Sequence, residues 1–419
     1  MNWTASTLSG RLTALGFLLV LSVGQSATSH KNHEGGEGGN RLPACQASSA
    51  LPSADCGQTP TPAFDSEGRL WIVFVQHGHL YVTRSDDLGH TFNPPRVVNR
   101  IPETIYSDGE NRPKLATGPD GALYLSWSRK IEGPYAGDIR FSRSLDEGNR
   151  FSEPVTVNDH RAPISHRFDS MGLDNQGRIF IAWIDKRDLQ AAKDAGEIYA
   201  GAAIYYAMSD DRGASFAFNR KLSDHSCECC RVATDADENG VVALWRHIYP
   251  VNLRDHAIAR LDPDTPPIEG LPPRATDDGW VVDGCPHHGP DLSVDDRQKA
   301  HLIWFSQGDK NSGVTYGRFD LANQRLDFQL PIKGRASHPQ VLSIGKQVIA
   351  AWKAFNGENT ELMVMESHDR GESWSDPRTL ASTASGSDHP FLIARDREVF
   401  VSWQTLAEGY RLVPVAGPQ

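Results

Sequence analysis

One strand pattern returns along this chain, and each time it ends in an aromatic residue. The copies read "KLATGPDGALYLSW" (114–127), "GLDNQGRIFIAW" (172–183), "ATDADENGVVALW" (233–245), "SVDDRQKAHLIW" (293–304), "VLSIGKQVIAAW" (341–352) and "LIARDREVFVSW" (392–403). "AFDSEGRLWIVF" (63–74) is a seventh copy with Phe74 in the tryptophan place. Each has a short apolar segment, a polar turn and an alternating apolar strand, which is two strands joined by a tight turn. Most copies add a third strand such as "DIRFSRS" or "AAIYYAMS", and often a fourth. A four-stranded antiparallel unit repeated about every 50 residues cannot bury both faces alone. Packed around an axis, such units cover one another, so the expected fold is all-β, a β-propeller of four-stranded antiparallel blades. Seven copies favour seven blades. Six is the alternative, if the terminal copies merge. The last copy has room for only three strands, and a strand from the N-terminal segment is expected to complete it. No long amphipathic helix is visible; 187–197 is an insertion with space for a turn or two of helix.

A second motif lies between the third and fourth strands: "SDDLGHTF" (85–92), "SLDEGNRF" (144–151), "SDDRGASF" (209–216) and "SHDRGESW" (367–374). The frame is Ser-x-Asp-x-Gly-x-(Thr/Ser)-aromatic, with Arg150 the one departure. Its physical sense is a hairpin lock: Asp accepts amide hydrogen bonds across the turn and Gly takes the positive-φ position. The four copies, in phase with the tryptophan repeat, resemble the Asp-box (BNR) repeat of the sialidase-like β-propeller superfamily. The resemblance spans residues 56–419. It implies that Asp87, Asp146, Asp211 and Asp369 are structural and lie away from the active face.

Residues 1–27 pair Arg11 with an apolar run from Leu12 to Val23, then small residues. That is a secretory signal peptide pattern, and the run is too short to span a bilayer. Residues 28–55 read as a flexible leader. It contains His30 and His33, read as part of a solvated tail, and Cys45 and Cys56 close a short loop at its end as an expected disulfide. The expected location is periplasmic or secreted, where disulfides persist. A net charge of −11 with no basic block argues against nucleic acid and anionic membranes.

In a propeller the first strand of each blade runs beside the central channel, and its starting residues line one mouth. Those residues are "TPTP" (59–62), "NRP" (111–113), "SHRF" (165–168), "CECCR" (227–231), "CPHHGP" (285–290), "SHP" (337–339) and "DHP" (388–390). Five of the sixteen histidines and four of the six cysteines fall there. Singly, a histidine before proline is more often structural than a ligand; the convergence points to a site. Arg112, His166, Arg167, Arg231, His338 and His389 are the candidate ligand-binding residues. Blades four and five carry no Asp box, and Cys229 or Cys230 should face Cys285 across their boundary. That contact reads either as a disulfide or as part of a thiolate–imidazole site of Cys227, Cys229, Cys230, Cys285, His287 and His288. Copper or zinc suits such donors.

The superfamily resemblance implies sialic acid release, which in that family uses three arginines on the sugar carboxylate, a Tyr nucleophile backed by Glu, and an Asp acid/base. Arg112, Arg167 and Arg231 open three consecutive blades. The family's Arg-Ile-Pro belongs on the first blade, whereas "NRIP" (99–102) follows the first Asp box, and Tyr410 is the nearest candidate for the tyrosine. The preferred reading is therefore an exported, monomeric propeller with a Cys/His/Arg site at the channel mouth. Its partner would be a small molecule, glycan or metal. An exo-α-sialidase or related glycoside hydrolase is the alternative, and a protein-binding propeller the second.

Overall fold

The computed structural model describes residues 41–47 and 50–416. The segment read as a signal peptide, with His30 and His33, lies outside the described residues. Seven antiparallel sheets form in chain order, so the propeller has seven blades. Their inner strands are Gln58–Phe64, Lys114–Thr117, His166–Leu173, Ala233–Asp237, Asp291–Val294, Ala336–Ile344 and Phe391–Arg395. Each inner strand touches that of the next blade, and the first touches the last, which closes the ring.

The repeated aromatics explain why the blades pack. Trp127, Trp183, Trp245, Trp304, Trp352 and Trp403 are at most 2% exposed, and Phe74 is fully buried. Each belongs to the apolar cluster that joins its own blade to the preceding one. Trp127 packs with Val73 and Leu80 of blade one, and Trp352 with Val314 and Tyr316 of blade five. Phe74 packs with Ile393 and Phe400 of blade seven, sealing the ring. A blade thus stabilises its neighbour by burying an aromatic face that would otherwise meet water.

The Asp boxes are hairpin locks, as their spacing implies. The Ser85 hydroxyl donates to Asp87 Oδ1 at 2.8 Å and accepts from the Gly89 amide at 2.7 Å. Asp87 also accepts from the Thr91 amide at 2.8 Å and hydroxyl at 2.6 Å. Asp211 and Asp369 repeat the full set. At Asp146 the hydroxyl contact is missing because Arg150 occupies that place; its amide still donates to the carboxylate at 2.9 Å. The Thr91 and Ser373 hydroxyls, ahead of the backbone amides, hold Asp87 and Asp369 down at pKa values of about 2.

Five blades have four strands; blades four and seven have three among the described residues. Blade four runs Ala233–Asp237, Gly240–Arg246 and His256–Arg260, then leaves the sheet. The segment that returns along its edge makes only isolated bridges, Ala257 to Arg274 and Leu253 to Val281. Pro272 and Pro273 have no amide hydrogen to offer a longer ladder. Blade seven is not completed by an N-terminal strand among the described residues. A loop does the closing instead. Gln404 Nε2 donates to the Ala54 carbonyl at 3.1 Å, the Tyr410 amide to Asp55 Oδ1 at 3.0 Å, and the Leu42 amide to the Leu406 carbonyl at 2.9 Å. The Cys45–Cys56 disulfide forms within this loop and ties its two described parts, residues 41–47 and 50–57, to each other. The insertion forms a helix, Arg187–Ala195, with no buried residue.

Candidate functional site

The starts of the inner strands converge, and Glu110 stands where they meet. Its carboxylate is 4% exposed. Oε1 accepts from Arg231 Nη1 at 2.8 Å; Oε2 accepts from the Arg231 amide at 3.0 Å and from the Gly289 amide at 2.9 Å. His389 Nδ1 lies 3.9 Å from Oε1. Residues preceding blades two, four, five and seven are thus gathered on one carboxylate. Gly289 is needed for this approach, since a Cβ there would strike Arg231 and Oε2 of Glu110. The sequence reading missed Glu110 because it began the blade-two entry at Asn111, one residue late.

The three candidate arginines have different surroundings. Arg231 is held by Glu110 and donates through Nη2 to the Pro339 carbonyl at 3.3 Å. Arg112 pairs with Asp388 and donates to the His389 carbonyl at 3.3 Å. Arg167 pairs with nothing: although 8% exposed, its guanidinium has no hydrogen-bond partner among the described residues. Its plane is held by aromatic rings instead, 3.9 Å from the Tyr106 centroid and 4.6 Å from that of Phe168. Such a stack fixes the guanidinium and leaves its donor fork open.

His288, His338 and His389 form a column at the mouth. Ring centroids are 4.6 Å apart between His288 and His338, and 3.7 Å between His338 and His389. Burial holds all three below the usual imidazole range, with the charge of His288 also opposing that of His338, and His338 that of His389. His166 is not part of this group. It is fully buried, its Nδ1 donates to the Gly137 carbonyl at 2.9 Å, and its Nε2 lies 3.8 Å from Asp185. It fastens blade three to blade two. Tyr410 packs in the cluster that closes blade seven onto blade one, 5.8 Å from the Phe92 ring. Arg100 is exposed on the connection to blade two.

The cysteines resolve into one bond and two thiols. Cys229 is bonded to Cys285, joining the entries of blades four and five. Cys227 and Cys230 are unpaired and buried, with Sγ atoms 3.5 Å apart. The Cys230 thiol, helped by the charges of Arg246 and Arg254, draws the Cys227 pKa below the usual thiol range, and Cys230 is pushed up in return. Arg254 Nη1 donates to Cys227 Sγ at 3.6 Å. The donor atoms of Cys227, Cys229 and Cys230 lie within 4.8 Å of one another, as do those of Cys229, Cys285 and His287. His288 turns to the histidine column. Beside the sulfurs opens a cleft of about 1050 Å³, lined by Arg254, Glu228, His225, Tyr249 and Cys285 among others.

The architecture has solved relatives. An ulvan lyase bound to -[GlcA(1-4)Rha3S]- superposes with a TM-score of 0.53 at 11% identity, over 90% of this chain and 93% of that one. The polysaccharide lyase Uly1 gives 0.52 at 9% identity, over 85% and 89%. A leech intramolecular trans-sialidase gives 0.46 at 11% identity, over 83% and 82%. At such low identity the two lyase superpositions show a shared fold. No protein-family model matches the chain, and no curated relative matches it.

Proposed function

We propose that the protein is an exported β-propeller that binds an acidic saccharide at the mouth of its channel, with Arg167 taking the ligand's carboxylate or sulfate. The observation that carries this is the open fork of Arg167. Arg167 Nε is buried without a partner, and the guanidinium, on a residue only 8% exposed, meets no protein acceptor among the described residues; an unpaired buried donor is costly unless a ligand or water accepts from it. The stack on Tyr106 and Phe168 presets the plane in which a bidentate anion docks. A lyase of the same fold holds a saccharide that carries both a carboxylate and a sulfate. The two disulfides suit an oxidising compartment.

An exo-sialidase is the lesser reading. A three-arginine clamp needs three available forks, and Asp388 and Glu110 already neutralise Arg112 and Arg231. Calorimetric titration with a glucuronate-containing oligosaccharide and its neutral counterpart tests the proposal. The acidic ligand should bind, the neutral one should not, and Arg167→Ala should weaken binding by at least tenfold. Equal binding of both ligands, or an unaffected Arg167→Ala, would overturn it.

A second reading is favoured by the sulfur geometry: a soft ion, copper or zinc, held by Cys227 and Cys230 and, once the Cys229–Cys285 disulfide is reduced, by Cys229, Cys285 and His287. Metal content of the protein purified from an oxidising host tests it, and absence of bound copper and zinc after exposure to both ions would remove it.

A further inference from the structure

The Cys229–Cys285 disulfide has two unlike ends. Cys229 is 4% exposed, whereas Cys285 is exposed and lines the cleft. Behind the buried end stand the two thiols. Cys227 Sγ is 3.9 Å from Cys229 Sγ and 3.5 Å from Cys230 Sγ. Arg254 reaches Cys227 Sγ and also lines the cleft, placing a positive charge where a thiolate would form. Three sulfurs in mutual reach, one of them already in a disulfide, are the geometry of exchange rather than of a static staple.

We propose that these four cysteines are a thiol–disulfide exchange unit, in which the bond passes from Cys229–Cys285 to Cys227–Cys230 and sets Cys285 free as a thiol on the cleft wall. Cys227, as thiolate, attacks Cys229 Sγ. A Cys227–Cys229 bond forms, the Cys229–Cys285 bond breaks, and the electron pair leaves on Cys285, which takes up the proton that Cys227 released. Cys230 then attacks Cys227 Sγ. The Cys227–Cys230 bond forms, and Cys229 leaves with the electron pair and takes the Cys230 proton. One disulfide and two thiols enter, and one disulfide and two thiols result, so no external oxidant or reductant is needed.

The exchange changes what the cleft offers. With the bond at Cys229–Cys285, the cleft wall carries no thiol from this unit. With the bond at Cys227–Cys230, the Cys229 and Cys285 sulfurs stand with the His287 imidazole, a donor set within 4.8 Å for a soft metal ion. The exchange itself does not depend on Arg167 or on an acidic ligand, so failure of that reading leaves it standing.

Peptide mapping of unreduced protein from an oxidising host tests it. The folded protein is treated with a bulky polar maleimide, quenched in acid and digested with trypsin. Residues 222–231 hold Cys227, Cys229 and Cys230, and residues 275–297 hold Cys285. With the bond at Cys229–Cys285 these peptides are joined. After exchange they separate, the first carrying an internal bond and the second a label on Cys285. Both forms are expected in the wild type, and Cys227→Ser should cut Cys285 labelling at least fivefold. Joined peptides alone, or equal labelling in a folded Cys227→Ser, would overturn the proposal. If that variant does not fold, the wild-type map still decides: Cys285 unlabelled throughout contradicts it.

Discussion

Glu110 and Arg231 form a buried ion pair at 2.8 Å that links the entry of blade two to that of blade four. The contact reaches past blade three, so it fixes the mouth of the ring and not merely one blade boundary. Removing one partner leaves a buried charge uncompensated, which typically costs ~3–5 kcal/mol. Glu110→Ala should therefore lower the thermal midpoint by several degrees. Gly289→Ala should do the same, because the added methyl intrudes on the pair. Scanning calorimetry measures both. An unchanged midpoint in either would show that the pair does not hold the mouth.

The histidine column should make the fold sensitive to mild acid. His288, His338 and His389 sit below the usual imidazole range in the folded state because burial opposes their charging. The unfolded chain takes up protons near pH 6.5. Stability is therefore expected to fall as pH drops below about 6.5, where the unfolded state binds more protons. His338→Gln should flatten that slope in melts taken between pH 7.5 and 5. An equally steep slope in the variant would contradict the assignment.

Asp291 should act with the opposite sign. Burial pushes its carboxyl up to about 7, while the Val341 amide donates to it at 2.9 Å. Between about pH 4, where an unfolded Asp titrates, and pH 7, the folded state keeps the proton that the unfolded state has lost. Stability from this group thus declines as pH rises through that window. Asp291→Asn retains an oxygen acceptor and removes the charge. It should stabilise the protein at pH 8 by an amount of order 1 kcal/mol and have little effect at pH 5. Destabilisation at pH 8 would mean that the ionised carboxylate is needed.

The Cys45–Cys56 disulfide closes a loop with a sequence separation of 11, and that loop carries Asp55, which holds blade seven. Constraining a loop of this size is worth about 3 kcal/mol in the chain-entropy model. The paired variant Cys45→Ser with Cys56→Ser should melt several degrees lower, and hydrogen exchange should rise first at Gly409–Pro414. Loss spread evenly over all blades would argue against the loop as the clasp.

Much of this fold is legible in the sequence because its signals are local. The strand alternation, the turns and the Asp boxes each sit within about a dozen residues, and the ring repeats them in register. The site is less legible because its pairs are distant in sequence. Nothing near Arg231 announces Glu110, and nothing near Arg112 announces Asp388, yet these pairs decide which arginine stays open. Residue type alone ranks His166 with His338 and His389; only the fold separates a buried fastening from a column at the mouth. For the cysteines, blade adjacency narrows the partner of Cys285 to Cys229 or Cys230, and side-chain packing selects Cys229.

The most direct test is a structure of the protein with an acidic disaccharide. The expected result is a carboxylate or sulfate within hydrogen-bond distance of two Arg167 nitrogens, with the guanidinium still stacked on Tyr106. An anion bound elsewhere, for example at Arg254 in the cleft, with Arg167 unoccupied, would contradict the proposed role of Arg167.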